Sequence, residues 1–189
     1  MLFVDIVGST ERAVALGDAR WRALLDTFYA EVRGAVARFN GWVAKTAGDG
    51  VLAVFDAPAA ALRGACAIRD TMAAHGVRMR AGVHTGECEI IGDDVTGVAV
   101  HIAARIAAAA GPGEVFASAT VRDLAAGSGI MLSDRGLHLL KGIPGKQPLV
   151  AVEAAAERKR LRAARGMTAH PHRAGTRHRT ANAHVGRRG

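Results

Sequence analysis

An aspartate, Asp5, interrupts an otherwise apolar run over residues 1–7. Such a run suits a strand buried in the middle of a sheet, where a charge is costly unless it is paired or bound to a cation. Downstream, Trp21, Leu24, Leu25, Phe28, Val32, Val36 and Phe39 recur at helical spacing until Asn40-Gly41 stops them. Residues 42–47 and 51–55 are β-prone and joined by Gly48-Asp49-Gly50, a hairpin signal. Pro58 sits where a first-turn proline opens a helix, which the pattern carries to about His75-Gly76. Residues 79–85 and 88–91 predict further strands, and 98–110 an Ala-rich helix ended by Gly-Pro-Gly. A short strand near Val115, a small helix over 118–125 and strands near Ile130, Leu137 and Leu149 complete the chain.

The first half thus reads β-α-ββ-α-β. That order predicts an α+β fold with a ferredoxin-like core, an antiparallel sheet with helices packed on one face. The length of 189 residues allows one domain plus a tail, read as 1–152 and 153–189. Half of the chain is hydrophobic but only 4% is aromatic, so the core must come mainly from Ala, Val, Leu and Ile.

The formal net charge of +8 belongs to the tail. Ten of the twenty-five Lys and Arg lie from Arg158 onward, with no acid, which leaves fifteen against seventeen acids over residues 1–157. The tail also holds four of the eight histidines and few large apolar residues, a composition that predicts disorder. It is the one segment suited to nucleic acid or an anionic surface, although a solvated extension accounts for it as well. Cys66 and Cys88 have no disulfide or metal-ligand spacing. No run is long enough for a membrane span, and the start lacks a signal peptide's basic region, so the chain reads as cytoplasmic.

Two acids carry the chemistry. Asp49 lies in the turn that opens the third strand, and in the ferredoxin-like order strands one and three are antiparallel neighbours. The end of one then meets the start of the other, so Asp5 and Asp49 can face one site and hold two divalent cations. Gly8-Ser9-Thr10 follows as a small-residue turn whose amides suit phosphate oxygens. Taken separately, each acid is more simply read as a strand-end aspartate or an ordinary turn aspartate, and only together do they suggest a site.

FVDIVGST, KTAGDGVLAVF, RAGVHTGE, DVTGVAVHIAAR and LLKGIPG stand in one order over roughly residues 1–152. Together they resemble the catalytic domain of class III adenylate and guanylate cyclases, in particular the bacterial, actinobacterial-type branch. The resemblance implies that Asp5 and Asp49 bind the metals, Mg2+ or Mn2+, two per site, with help from the Ile6 carbonyl. It implies that Lys45 and Asp94 select the purine, that Arg105 stabilises the reacting phosphorus and that Lys141 reaches the terminal phosphates. A lysine donor beside an aspartate acceptor complements adenine's N1 and 6-amino group, which points to ATP rather than GTP. The family shares each site across a homodimer, so ATP and a second copy are the implied partners.

His101 departs from the pattern, since four residues before the arginine the family carries an asparagine that orients the ribose. Imidazole retains one donor but is bulkier, so lowered turnover is expected. Met1 also falls almost on the first strand, where relatives carry a few more residues. The implied activity is an adenylate cyclase of low turnover. The alternative is a catalytically silent cyclase-homology module that binds nucleotide or a partner for regulation. His84, Trp21, Trp42, Glu87 and Glu89 are read as packing or surface residues.

Overall fold

Alternating burial along the first strand gives the sheet two differently used faces. The computed structural model describes residues 1–92 and 94–153. In chain order the elements are β1 (Leu2–Ile6), α1 (Ser9–Leu16), α2 (Asp18–Arg38), β2 (Gly41–Ala47) and β3 (Gly50–Phe55). They continue with α3 (Pro58–Ala74), β4 (Met79–Val83), β5 (Glu89–Ile91), β6 (Asp94–Thr96) and α4 (Val98–Ala109). The last are β7 (Val115–Ser118), α5 (Ala119–Leu124), β8 (Leu132–Leu139) and β9 (Lys146–Val152). Seven strands form one sheet in the order β2-β3-β1-β4-β7-β9-β8, antiparallel except between β4 and β7. The β5–β6 hairpin is a separate two-stranded ribbon.

The order β2-β3-β1-β4 with α2 and α3 as crossovers is the expected ferredoxin-like core. Leu2, Val4 and Ile6 of β1 join Val51 and Ala53 of β3 and Met79, Ala81 and Val83 of β4 on one face. Against them α2 lays a stripe at four-residue spacing, Phe28, Val32 and Val36, and α3 lays Ala61, Leu62, Ala65, Ile68 and Met72. Pro58 occupies the first turn of α3, where its missing N–H costs no helical bond. Trp21 packs partly buried against this core, whereas Trp42 on β2 is exposed.

The opposite face departs from the one-sided packing expected of the helices. The residues that alternate with the first set, Phe3 on β1, Leu52 and Val54 on β3 and Phe116 on β7, face the other way. There α4 covers them with Ala99, Ala103, Ile106 and Ala107. A second face this apolar must be covered, and α4 lies beyond the ferredoxin-like unit in sequence, so the β-α-ββ-α-β order did not place it.

The crossing of α4 over β4 depends on Gly82. A Cβ at that position would lie 2.2 Å from the Ala107 nitrogen and 2.3 Å from the Ala103 carbonyl oxygen. Helix and strand therefore meet backbone to backbone, which only glycine permits.

Two smaller differences concern α1 and β8. Of the Gly8-Ser9-Thr10 turn only Gly8 is a turn residue, at φ 67°, and Ser9 and Thr10 begin α1. The eight residues of α1 bury no side chain, so the apolar pattern gave no sign of a helix. The strands expected near Ile130 and Leu137 are a single strand, β8, with a register shift between Asp134 and Leu137. Apart from Glu153, the tail read as 153–189 lies outside the described residues.

Gly82→Ala is expected to lower stability by roughly 3 kcal/mol, on the order of 10 °C in Tm, through overpacking against the α4 backbone. Thermal denaturation followed by circular dichroism checks this, and an unchanged Tm would refute the close approach.

Candidate active site

The register of β1 fixes the surroundings of Asp5. It stands opposite Gly50 of β3 on one side and Arg80 of β4 on the other. Arg80 closes on it as a fork, Nε donating to Oδ1 at 2.7 Å and Nη2 to Oδ2 at 3.1 Å. The Asp5 side chain is 16% exposed. Burial pushes its carboxyl above the usual carboxylate range. Arg80 opposes that shift, and the negative charge of Asp49 adds to it. Asp5 raises the already high pKa of the Arg80 guanidinium, chiefly through the hydrogen bond. The guanidinium Nη1 also lies 3.5 Å from the Ala108 carbonyl oxygen, at the outer limit of a hydrogen bond and in the last turn of α4.

Asp49 sits at the tip of the β2–β3 hairpin, one residue from the Gly50 that faces Asp5. The Tyr29 hydroxyl of α2 donates to the Gly48 carbonyl and so ties the tip to the helix layer. Among the described residues the Asp49 carboxylate makes no hydrogen bond, but its charge bears on both Asp5 and Arg80. Ser9, Thr10, Gly48 and Asp49 line one cleft of about 300 Å3, backed by Trp21 and Leu25. The sheet register thus sets Asp5 beside the hairpin tip, opposite Gly50, while Asp49 shares the cleft with the start of α1 and Asp5 does not line it. Ile6 is buried, so only its main chain is available as a ligand.

Lys45 owes its direction to a β-bulge. Val43 pairs with Ala53 and Lys45 with Leu52, so Ala44 and Lys45 together oppose one residue. In unbroken register Lys45 would share the face of Val51, which belongs to the α2–α3 core. The bulge turns it to the α4 face, where Nζ meets Asp94 Oδ2 at 2.9 Å. Asp94 begins β6, and its Oδ1 accepts from the Val95 amide at 2.9 Å. Lys45, and secondarily the Val95 amide, hold the Asp94 carboxyl below its usual range. Both side chains are half exposed, at 59% and 50%.

His101 and Arg105 stand one turn apart on the exposed side of α4, and Lys141 is exposed in the turn between β8 and β9. Among the described residues none of these three side chains makes a hydrogen bond or ion pair, and the chain does not bring them into contact with Asp5 or Asp49.

The chain matches the family described as "Adenylate and Guanylate cyclase catalytic domain" over residues 1–154. It belongs to that family. An uncharacterised protein of Mycobacterium tuberculosis is 34% identical over 124 residues, 65% of this chain and 33% of that protein. The domain therefore spans about a third of the length of such relatives. The fold is that of the adenylyl cyclase CyaB from P. aeruginosa, with a TM-score of 0.73 and 24% identity, covering 82% of this chain and 92% of that one. The guanylate cyclase domain of RhGC from Catenaria anguillulae, solved in complex with GTP, gives 0.72 and 22%, covering 81% and 94%.

Within this cyclase domain Arg80 is the site residue that the sequence reading left unassigned, although it lies in the RAGVHTGE motif. Its signal was a charge within the strand MRAGV, which gains meaning only when the register sets it across from Asp5. The oxygen donors of Asp5 and Asp49 suit hard divalent cations, which bind through one or two carboxylates together with substrate phosphates. No cluster of three or more His, Cys, Asp or Glu occurs among the described residues. His84 serves the scaffold, with Nδ1 2.9 Å from the Ser118 hydroxyl, and burial keeps its pKa below the usual histidine value. Glu87 and Glu89 are exposed, as expected, and so is Cys88, while Cys66 is half-buried. No described helix is long and apolar enough to cross a membrane.

The half-exposed Lys45–Asp94 pair contributes little to stability. Asp94→Asn is expected to keep Tm within about 2 °C of the parent. A larger drop in a thermal melt would give the pair a structural role instead.

Proposed function

We propose that this domain is an adenylate cyclase that converts ATP to 3′,5′-cyclic AMP and pyrophosphate as a homodimer. The Lys45–Asp94 pair carries the ATP reading. An ammonium donor and a carboxylate acceptor already stand side by side, the arrangement that adenine's N1 acceptor and 6-amino donor require. Guanine offers a donor and an acceptor in the reverse places, so each charged group would face a like partner.

Asp5, Asp49 and the Ile6 carbonyl would hold the metal ions, and Ser9 and Thr10 would present the first amides of α1 to phosphate oxygens. When bound, two divalent cations would lower the pKa of the ribose 3′-hydroxyl and offset the charge of the phosphates. The chain's residues do the rest. Lys45 and Asp94 fix the base and so aim the ribose at the α-phosphorus. Arg105 neutralises the charge that develops there, and Lys141 the charge on departing pyrophosphate. His101, one turn before Arg105, takes the place of the ribose-orienting residue with a single N–H donor.

Two observations support a homodimer. Arg105, His101 and Lys141 are exposed and make no hydrogen bond or ion pair among the described residues, which leaves them free to reach a nucleotide held by a second copy. Ile90, Ile91 and Val98 beside Asp94 are more than 60% exposed, which puts apolar surface next to the purine-reading pair.

Purified protein with Mn2+ is expected to form cyclic AMP from ATP in preference to cyclic GMP from GTP. Asp49→Ala should abolish the reaction. A folded dimer that binds ATP without turnover would instead establish the silent module, the reading that His101 favours. Restoring the orienting amide with His101→Asn is expected to raise kcat roughly tenfold or more. An unchanged or lower kcat would show that the imidazole serves as well.

A further inference from the structure

We propose that Arg80 is an internal counter-cation that occupies the Asp5 carboxylate until a divalent cation displaces it, and so sets the metal affinity of the nucleotide-free domain. This rests on the reading of Asp5 and Asp49 as the metal-binding pair. The fork engages both oxygens of Asp5, at 2.7 and 3.1 Å, which are the atoms a metal needs. The clasp is built by the sheet, because Asp5 and Arg80 are register partners on adjacent antiparallel strands. With Asp5 16% exposed, its charge has little water to turn to when neither cation is present.

The two carboxylates are therefore in different states. Asp5 is occupied by the guanidinium, whereas Asp49 makes no hydrogen bond among the described residues and borders the open cleft. An incoming cation meets Asp49 first and competes for Asp5 second. The displaced guanidinium has a resting place close by, the Ala108 carbonyl 3.5 Å from Nη1. That carbonyl belongs to the C-terminal turn of α4, where the helix dipole favours a positive charge.

The test measures Mn2+ binding without nucleotide, from the electron paramagnetic resonance signal of free Mn2+. It compares the parent with Arg80→Met and Arg80→Lys, each alone and combined with Asp49→Ala. A clasp closed for about 90–99% of the time lowers apparent affinity roughly 10- to 100-fold, so Arg80→Met is expected to bind that much tighter. Arg80→Lys, which keeps the charge but loses the fork, should fall between the two, and Asp49→Ala should cancel either gain. A second measurement follows the Tm. Without metal Arg80→Met should melt below the parent, and Mn2+ should raise its Tm by more degrees than it raises the parent's. If Arg80→Met does not fold, Arg80→Lys carries the test.

Equal or weaker Mn2+ binding by Arg80→Met overturns the proposal. Parental affinity in Arg80→Lys assigns the effect to charge alone and overturns the clasp. Mn2+ binding by the parent that survives both Asp5→Asn and Asp49→Ala refutes the metal reading itself, an outcome distinct from the other two.

Discussion

The contact between Gly82 and the backbone of α4 is the constraint on which the second face of the sheet depends. One helix must cover the strands on that side, and it does so at a separation that leaves no room for a Cβ. The inner side of α4 is accordingly small, with Ala99, Ala103 and Ala107 buried and Ile106 the one large residue among them. Close approach sets the height of α4 over β4 and therefore the reach of everything attached to it. The Ala108 carbonyl comes within reach of Arg80, while His101 and Arg105 are turned outward on the opposite side. A helix held one side chain further away would lose the first relation and shift the second by more than an ångström, enough to matter to a group proposed to meet a phosphate.

Charge on this face is handled in two regimes. Asp5 is largely withdrawn from water, and its guanidinium partner, about a third exposed, is fixed by strand pairing, so removing Arg80 leaves a poorly hydrated carboxylate without its counter-charge. Lys45 and Asp94 are half solvated, and their attraction is screened, so the pair holds geometry rather than stability. The difference suits what each set is read to do. A site for small, strongly charged ions needs acids whose charge is not dissipated in solvent. A site that reads one edge of a base needs a donor and an acceptor that can turn from each other to the ligand at little expense.

The sequence made the fold legible where periodicity and punctuation agreed. The stripe Phe28, Val32 and Val36, the stop at Asn40-Gly41, the Gly48-Asp49-Gly50 hairpin and Pro58 all mark elements within a residue or two of those found. The meeting of Asp5 with the hairpin tip followed from topology alone and appears in the register as Asp5 opposite Gly50. Three features were illegible for physical reasons. A helix that buries nothing, α1, has no apolar pattern to display. A bulge is a matter of pairing, so nothing within GWVAKTA marks the extra residue at Ala44. The clasp of Arg80 on Asp5 joins residues 75 apart, and only the strand order makes them neighbours.

The single bulge in β2 has a consequence larger than its size. A strand directs alternate residues to opposite faces, so Lys45 and its partner can meet only if the alternation fails once between Val43 and Lys45. Val43 packs with the α2–α3 core, and Ala44 packs on the other side, with Leu52 and Val95. An ideal strand could satisfy the core or the pair, but not both. The apolar requirement fixes Val43 and Leu52 first, because those burials hold the domain together, and the polar residue is then brought into place by a local fault in the ladder. A bulge is thus the means by which one strand serves the core with one residue and a half-exposed polar site with the next but one, and it places Lys45 without asking the core for any stability in return.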